Sequence, residues 1–325
     1  MINSIQYLRG IAAILVVYYH ATIKSVQNNL PDAEVFSFGQ AGVDLFFIIS
    51  GFIICFSTDK HSFSAVQFLK SRILRIISLY WFFTLLALAV FIAFPDLVNS
   101  SGGETVVFKS FFLLPTDDKY LVRNGWTLSY EFYFYFIFAL FAIFFEKRNI
   151  VFLPLILLAA LGYIFSIDFY FDNYLLEFAM GVISYNIFKY KLPVRYDFYL
   201  LSIISLLLCL IYLYDFKSKV IYYGVQMWFI FQGSLLLERV AKPIELLEGF
   251  KRLLFKLGDS SYSLYLSHAF SLVIINKLVM YFLPTVNKEV YLFVLTSGSI
   301  IVGHFVYIFV ELKINLYCKR LFNKK

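Results

Sequence analysis

Long apolar runs separated by short polar stretches set the rhythm of this chain. Ten runs are long enough to be helices that cross a bilayer at 1.5 Å rise per residue. They cover about 5–24, 39–57, 76–94, 126–145, 149–166, 171–188, 197–214, 219–237, 261–283 and 290–312. Asp59 to Ser78 breaks the pattern, being basic and amphipathic, which predicts an interfacial helix feeding the third span. Pro95 to Gly125, with Asn99-Ser100-Ser101-Gly102-Gly103, is the longest non-spanning loop. The pattern predicts an all-α fold, a polytopic transmembrane helix bundle of about ten spans. It forms a single integral membrane domain over residues 1–325.

Composition agrees. Hydrophobic residues make up 61% of the 325 and charged ones 15%, where a soluble domain is nearer half and a quarter. Mean hydropathy is +0.78. The net charge of +7 is therefore a matter of topology, and a nucleic-acid partner is not expected. With the N-terminus in the cytoplasm, about 19 Lys and Arg fall on inner segments against 7 outside, which predicts that both termini are cytoplasmic. The first span lacks a small-residue cleavage site after it and reads as retained. Cys55, Cys209 and Cys318 are widely spaced and support neither a disulfide framework nor a metal site. No metal is expected. No internal repeat of the transporter kind is visible.

The chemistry lies in the ionisable residues inside the spans, where each is costly and a functional candidate. The first helix carries Arg9 and His20 eleven residues apart, on nearly one face and about 16 Å apart along the axis. Snorkelling of both to the two interfaces is the bland alternative. Asp44, about a turn and a half into span two, needs a partner. His20 is the expected one, with Asp44 fixing its tautomer and supporting its protonated form. Gly42, Ser50 and Gly51 beside it permit close helix packing. Arg72 and Arg75, three apart, point the same way and with Lys70 form a cationic edge. Paired arginines suit phosphates, while anchoring to anionic lipid is the better account of such arginines taken in isolation.

Trp126-Thr127-Leu128-Ser129-Tyr130-Glu131 opens span four, and Glu131 is expected to face the bundle interior. It is a candidate for binding an acceptor hydroxyl or for pairing with Arg9 or His20. Ser261, Tyr265 and His268 share a helix face in span nine. His268 either touches a cofactor or is a structural histidine. Glu177, His304 and Glu311 are further intramembrane polar residues, Glu311 being expected to pair with Lys313 or another base. His61 lies in a loop and carries no signal. Tyr120 and Trp126 can stack on a sugar ring or anchor at the interface.

Together these residues resemble the acyltransferase-3 family of integral membrane O-acyltransferases, which modify bacterial polysaccharides and other carbohydrates. The resemblance spans nearly the whole chain. It rests on Arg9 followed by ten residues and His20, on Gly42-Val43-Asp44-Leu45-Phe46-Phe47-Ile48-Ile49-Ser50-Gly51-Phe52, and on Arg72-x-x-Arg75. Trp126-Thr127-Leu128-x-x-Glu131, Phe178-Ala179-Met180-Gly181 and Ser261-Tyr262-Ser263-Leu264-Tyr265-Leu266-Ser267-His268 complete it. Ser78 and Lys313 stand where the family often has proline. A periplasmic esterase-like domain carried by some members is absent from this sequence.

The resemblance implies acetyl-CoA as acyl donor, bound from the cytoplasm. It also implies a glycan or lipid-linked sugar as acceptor, and a multi-pass place in the bacterial inner membrane, with membrane lipid as the other partner. Exopolysaccharide and O-antigen are acceptors of the expected kind. It carries the family's functional arginine and histidine onto Arg9 and His20 and its paired arginines onto Arg72 and Arg75. The resulting expectation is His20, Asp44 and Glu131 as catalytic groups, and Arg9, Arg72, Arg75 and His268 at the donor. Acceptor sugar, acyl length, a covalent acyl-enzyme and homo-oligomerisation stay open. The rival class is a proton-coupled transporter using Arg9, His20, Asp44 and Glu131 as a relay.

Overall fold

The computed structural model describes residues 2–59, 63–95, 104–165, 173–190, 193–213, 219–240 and 248–322. His61, and Lys60, Lys191, Lys217 and Lys242 of the charge asymmetry, lie outside them. Among the described residues the fold is all helical, its only bridge being an isolated one between Thr105 and Lys119. The helices are α1 (Asn3–Gln27), α2 (Ala41–Thr58), α3 (Ala65–Ala93), α4 (Val107–Phe112), α5 (Gly125–Phe144), α6 (Phe152–Phe165) and α7 (Tyr174–Lys189). They continue with α8 (Val194–Leu213), α9 (Lys219–Val240), α10 (Glu248–Asp259), α11 (Ser261–Phe282), α12 (Lys288–Val306) and α13 (Leu312–Phe322).

Every predicted helix is present. Among the described residues, six stretches are long and apolar enough to cross a membrane: Ser37–Thr58, Ala65–Ala93, Gly125–Phe144, Arg148–Phe165, Ser261–Phe282 and Lys288–Cys318. The expected boundary between an interfacial helix and the third span is missing, because α3 runs unbroken from Ala65 to Ala93. No glycine or proline interrupts that stretch, so its helical hydrogen bonds have no reason to stop. Ser78 sits inside it and donates to the Leu74 carbonyl at 2.7 Å. The described part of the long loop is ordered by α4 and by the backbone pairing of Lys119 with Glu104 and Val106.

Chain contacts divide the protein into two compact units. The first comprises residues 1–15, 40–65 and 133–259. Its centre is the contact of α2 with α7, made possible by two glycines. A Cβ on Gly51 would lie 2.1 Å from the Phe178 carbonyl oxygen, and one on Gly181 would lie 2.0 Å from that of Ile48. Phe178 fills the space beside them, its ring 4.8 Å from Phe47 and 4.2 Å from Phe134. Both glycines are therefore packing residues. Gly181→Ala must push two backbones apart, a change that costs about 1–3 kcal/mol or more. We expect a lower melting temperature of the detergent-solubilised protein, and an unchanged melting curve would contradict this contact.

Several polar groups of the first unit are paired. Glu238 accepts from the backbone N–H groups of Asn3 and Ser4 at 3.0 and 2.9 Å, satisfying the start of α1 with a carboxylate at its positive end. Asp197, almost fully buried, accepts from Gln232 at 2.7 Å and from Arg239. Beyond α2, Asp59 accepts from Lys189 and from Tyr185, both at 2.8 Å. Burial alone would raise that carboxyl, but the Lys189 and Tyr185 hydrogen bonds and the charges of Lys189 and Arg148 outweigh it and hold it below its ordinary value. Arg148 donates to the Thr58 carbonyl and lies over the Phe63 ring.

The second unit comprises residues 16–39, 66–132 and 260–325. Its hub is α11, whose first turns reach four partners in succession. The Tyr262 hydroxyl donates to the Ile76 carbonyl of α3 at 2.7 Å. Ser263 donates to Glu311, which closes the π-helical turn Tyr307–Glu311 after α12. Lys313, one of the bases expected near Glu311, lies over the Phe309 ring. Tyr265 and His268 complete the series.

Candidate active site

The candidate site in the second unit is built where α11 meets α1 and the start of α5. The His20 ring on α1 lies 5.1 Å from the His268 ring on α11, centroid to centroid, with 34° between planes. Tyr19 flanks His20 at 4.9 Å and Tyr265 flanks His268 at 5.7 Å. His268 is 1% exposed, and its ring lies within reach of the Tyr265 and Leu264 backbone of its own helix. His20 is half-buried, so one side of the pair is closed and the other is reachable.

Local hydrogen bonds fix this pair from behind. Tyr265 and Thr127 share a hydrogen bond of 2.8 Å between hydroxyls, and Asn124 donates its amide to the Tyr265 carbonyl. Thr127 also donates to the Asn124 carbonyl at 2.9 Å, as a helix-start residue does. Glu131, one turn further along α5, is within electrostatic reach of the Tyr265 hydroxyl. Arg123, just before α5, places its positive charge near both His20 and Lys24. The Ser261–His268 and Trp126–Glu131 segments are thus brought to His20 through Tyr265.

The segment that leads into α5 is itself pinned. Tyr80 donates to the Ser110 carbonyl at 2.7 Å, and the Ser110 hydroxyl accepts from the Leu121 backbone at 2.8 Å. Tyr120 shares a 2.8 Å hydrogen bond with Ser129, and Ser129 donates to the Leu113 carbonyl at 2.7 Å. Tyr120 is 5% exposed, so it serves this scaffold from inside.

Arg9 and Asp44 lie in the first unit. Arg9 donates to Gln6 at 3.2 Å, and Gln6 donates to Asp259 at 3.0 Å. This chain is held by close packing of α1 on α10, since a Cβ on Gly258 would lie 2.1 Å from the Gln6 carbonyl oxygen. Asp44, 5% exposed on α2, comes close to the carboxyl group of Glu177 on α7. The carboxylate partner of Asp44 was legible only as a separate polar residue. Arg72 and Arg75 lie in the second unit on α3, Arg72 half-buried with its guanidinium 5.4 Å from the Phe68 ring and Arg75 exposed.

Sequence reasoning had not assigned Asn124, Arg123, Gln6 or Asp259 a role. Asn124 and Asp259 stand at helix ends, where polar residues ordinarily cap, so their type alone gave no signal.

Histidines and carboxylates buried in a bundle that holds helices of membrane-spanning length and apolarity define the class of a polytopic membrane protein. The chain belongs to the acyltransferase-3 family, whose acyltransferase domain matches residues 2–309. One curated relative is the exopolysaccharide production protein ExoZ of Rhizobium meliloti (strain 1021). It is 39% identical over 111 residues, covering 32% of this chain and 34% of that protein. The match thus spans about a third of the relative's length. No solved structure matches.

Proposed function

We propose that this enzyme moves an acetyl group from cytoplasmic acetyl-CoA to a hydroxyl of an exopolysaccharide or its lipid-linked precursor. It does so as a ten-span protein of the bacterial inner membrane with both termini inside. The observation that carries the reading is the His20–His268 pair, clamped by Tyr265, Thr127 and Asn124 within the family's motifs. The name of the ExoZ relative supports the acceptor class. The positive-inside asymmetry supports the orientation.

In this reading His20 takes the proton of the acceptor hydroxyl as its oxygen attacks the thioester carbonyl. The new C–O bond forms, the C–S bond breaks, and the thiolate of coenzyme A leaves and is protonated. Such base catalysis contributes about 10²–10⁴-fold. Glu131 binds the acceptor hydroxyl through its place beside Tyr265. His268 contacts the donor at the thioester end. Arg72 and Arg75 hold the phosphates of the donor, which paired guanidinium groups grip in bidentate fashion.

The test supplies labelled acetyl-CoA to membranes from expressing cells and examines surface glycan by mass spectrometry for the mass of an added acetyl group. Labelled acetyl ester on glycan is the expected result. Proton-coupled uptake into vesicles, with no acylated product from any acceptor, would return the protein to the transporter class.

A further inference from the structure

A cleft of about 560 Å³ opens in the second unit, between the turn after α1 and the turn from α11 to α12. Its volume lies in the range of small-molecule sites. The lining comes from residues 28–32 on one side and Met280 with 284–289 on the other. None of these residues has a part in the site already described.

The floor of the cleft is built in advance. Asn28 donates its amide to Asn276 at 2.6 Å and to the Tyr291 hydroxyl at 2.8 Å, and Tyr291 donates to Asn276 at 2.6 Å. Beneath them Ala21, Leu30, Leu272, Tyr291 and Leu295 form one apolar cluster that joins α1, α11 and α12. The rim is also fixed, because Lys288 donates to the Asp32 carbonyl at 3.0 Å and stands 3.7 Å from Glu289. Asn29 and Asp32 adopt the left-handed conformation, with φ of 53° and 54°, which these two residue types tolerate best after glycine.

The chemistry of the lining selects the ligand. Asparagine amides offer donor and acceptor side by side, a threonine hydroxyl adds either, and Asp32 and Glu289 add acceptors. Against these stands one cation, Lys288, already engaged with the rim. The balance is one net negative charge, which opposes phosphates and uronic acids and suits a neutral ring rich in hydroxyls.

Placement ties the cleft to catalysis. The two helices that carry the histidine pair both end at the cleft. Asn28 follows His20 by eight residues, about 12 Å of helical rise, and Met280 follows His268 by twelve, about 18 Å. A ring bound there is too far from His20 to be the one that reacts. It is near enough for a neighbour on the same glycan chain to do so.

We propose that this cleft is a subsite for a neutral sugar residue of the acceptor, flanking the residue that is acylated. The proposal rests on the acyl-transfer reading above and adds the means by which the enzyme selects a chain over a single sugar.

The experiment uses full-length protein in membranes, acetyl-CoA, and a repeat-unit oligosaccharide released from de-acylated exopolysaccharide of the host. Thr285→Trp fills the cleft from an exposed turn, and the double variant Asp32→Asn/Glu289→Gln removes its acceptors' charge without adding bulk. Both should raise the apparent KM for the oligosaccharide by about tenfold, the size of one or two lost polar contacts, and leave the KM for acetyl-CoA unchanged. If the tryptophan variant does not accumulate in the membrane, the charge variant decides. An oligosaccharide KM equal to wild type in the folded variants overturns the subsite while the enzyme reading stands. Wild-type membranes that acylate no glycan remove the enzyme reading, and the subsite with it.

Discussion

His20→Ala is expected to lower glycan acylation by about 10²–10⁴-fold, the contribution of a positioned general base, with the protein still present in the membrane. The ring of His20 makes its recorded contacts with Tyr19 and His268, and α1 is long and packed along its whole length, so the helix does not depend on the imidazole. Immunoblotting of membranes and mass spectrometry of glycan separate loss of catalysis from loss of protein. His268→Ala divides the roles further. If His20 is the base and His268 meets the donor, the second variant raises the KM for acetyl-CoA more than it lowers kcat. Near-normal acylation by His20→Ala, together with loss in His268→Ala, would exchange the two assignments.

The extent to which this arrangement was legible differs by level. Helix positions follow from local apolar runs, and local information suffices for them. All ten predicted helices are present, with ends shifted by a few residues. The amphipathic segment feeds the apolar one within a single helix, because backbone hydrogen bonds continue through either composition. Residues of the site were legible as types, since an ionisable group inside an apolar run is costly wherever it points. Their partners were not.

Asp44 shows why. The nearest good partner by chemistry was an imidazole, but the partner found is Glu177. The reason lies in helix packing. Asp44, Ile48 and Gly51 fall on one face of α2, and Glu177 and Gly181 on one face of α7. The close approach that the two glycines allow brings those faces together, and the carboxyls come with them. The glycines were recognised as packing residues, yet which helix they met is a long-range fact that spacing within one segment does not contain. The same holds for His20 and His268. Their contact depends on α11 being tied to α3 by Tyr262, to Glu311 by Ser263 and to α5 by Tyr265. The motif Ser261–His268 reads as one helix face in sequence and proves to be a series of separate anchors.

Changing Arg72 and Arg75 together to lysine should keep insertion and orientation but raise the apparent KM for acetyl-CoA by about 10–100-fold. Insertion is indifferent to the change because ammonium and guanidinium count alike in the positive-inside rule. Phosphate binding is not, because the planar fork makes two parallel charge-assisted bonds that a single ammonium cannot reproduce. Each such contact contributes about 1–3 kcal/mol, so the loss of parts of two accounts for the range. The structure makes the comparison clean. Both residues sit within the unbroken α3, three apart and so on one side of it, and lysine is as good a helix former as arginine. The half-buried Arg72, stacked near Phe68, should contribute more than the exposed Arg75, so the single Arg72→Lys variant should show most of the effect. A donor KM unchanged in the double variant would assign the pair to lipid anchoring. The donor phosphates would then belong to the basic helix α10, with Lys251, Arg252 and Lys256 as the groups to replace next.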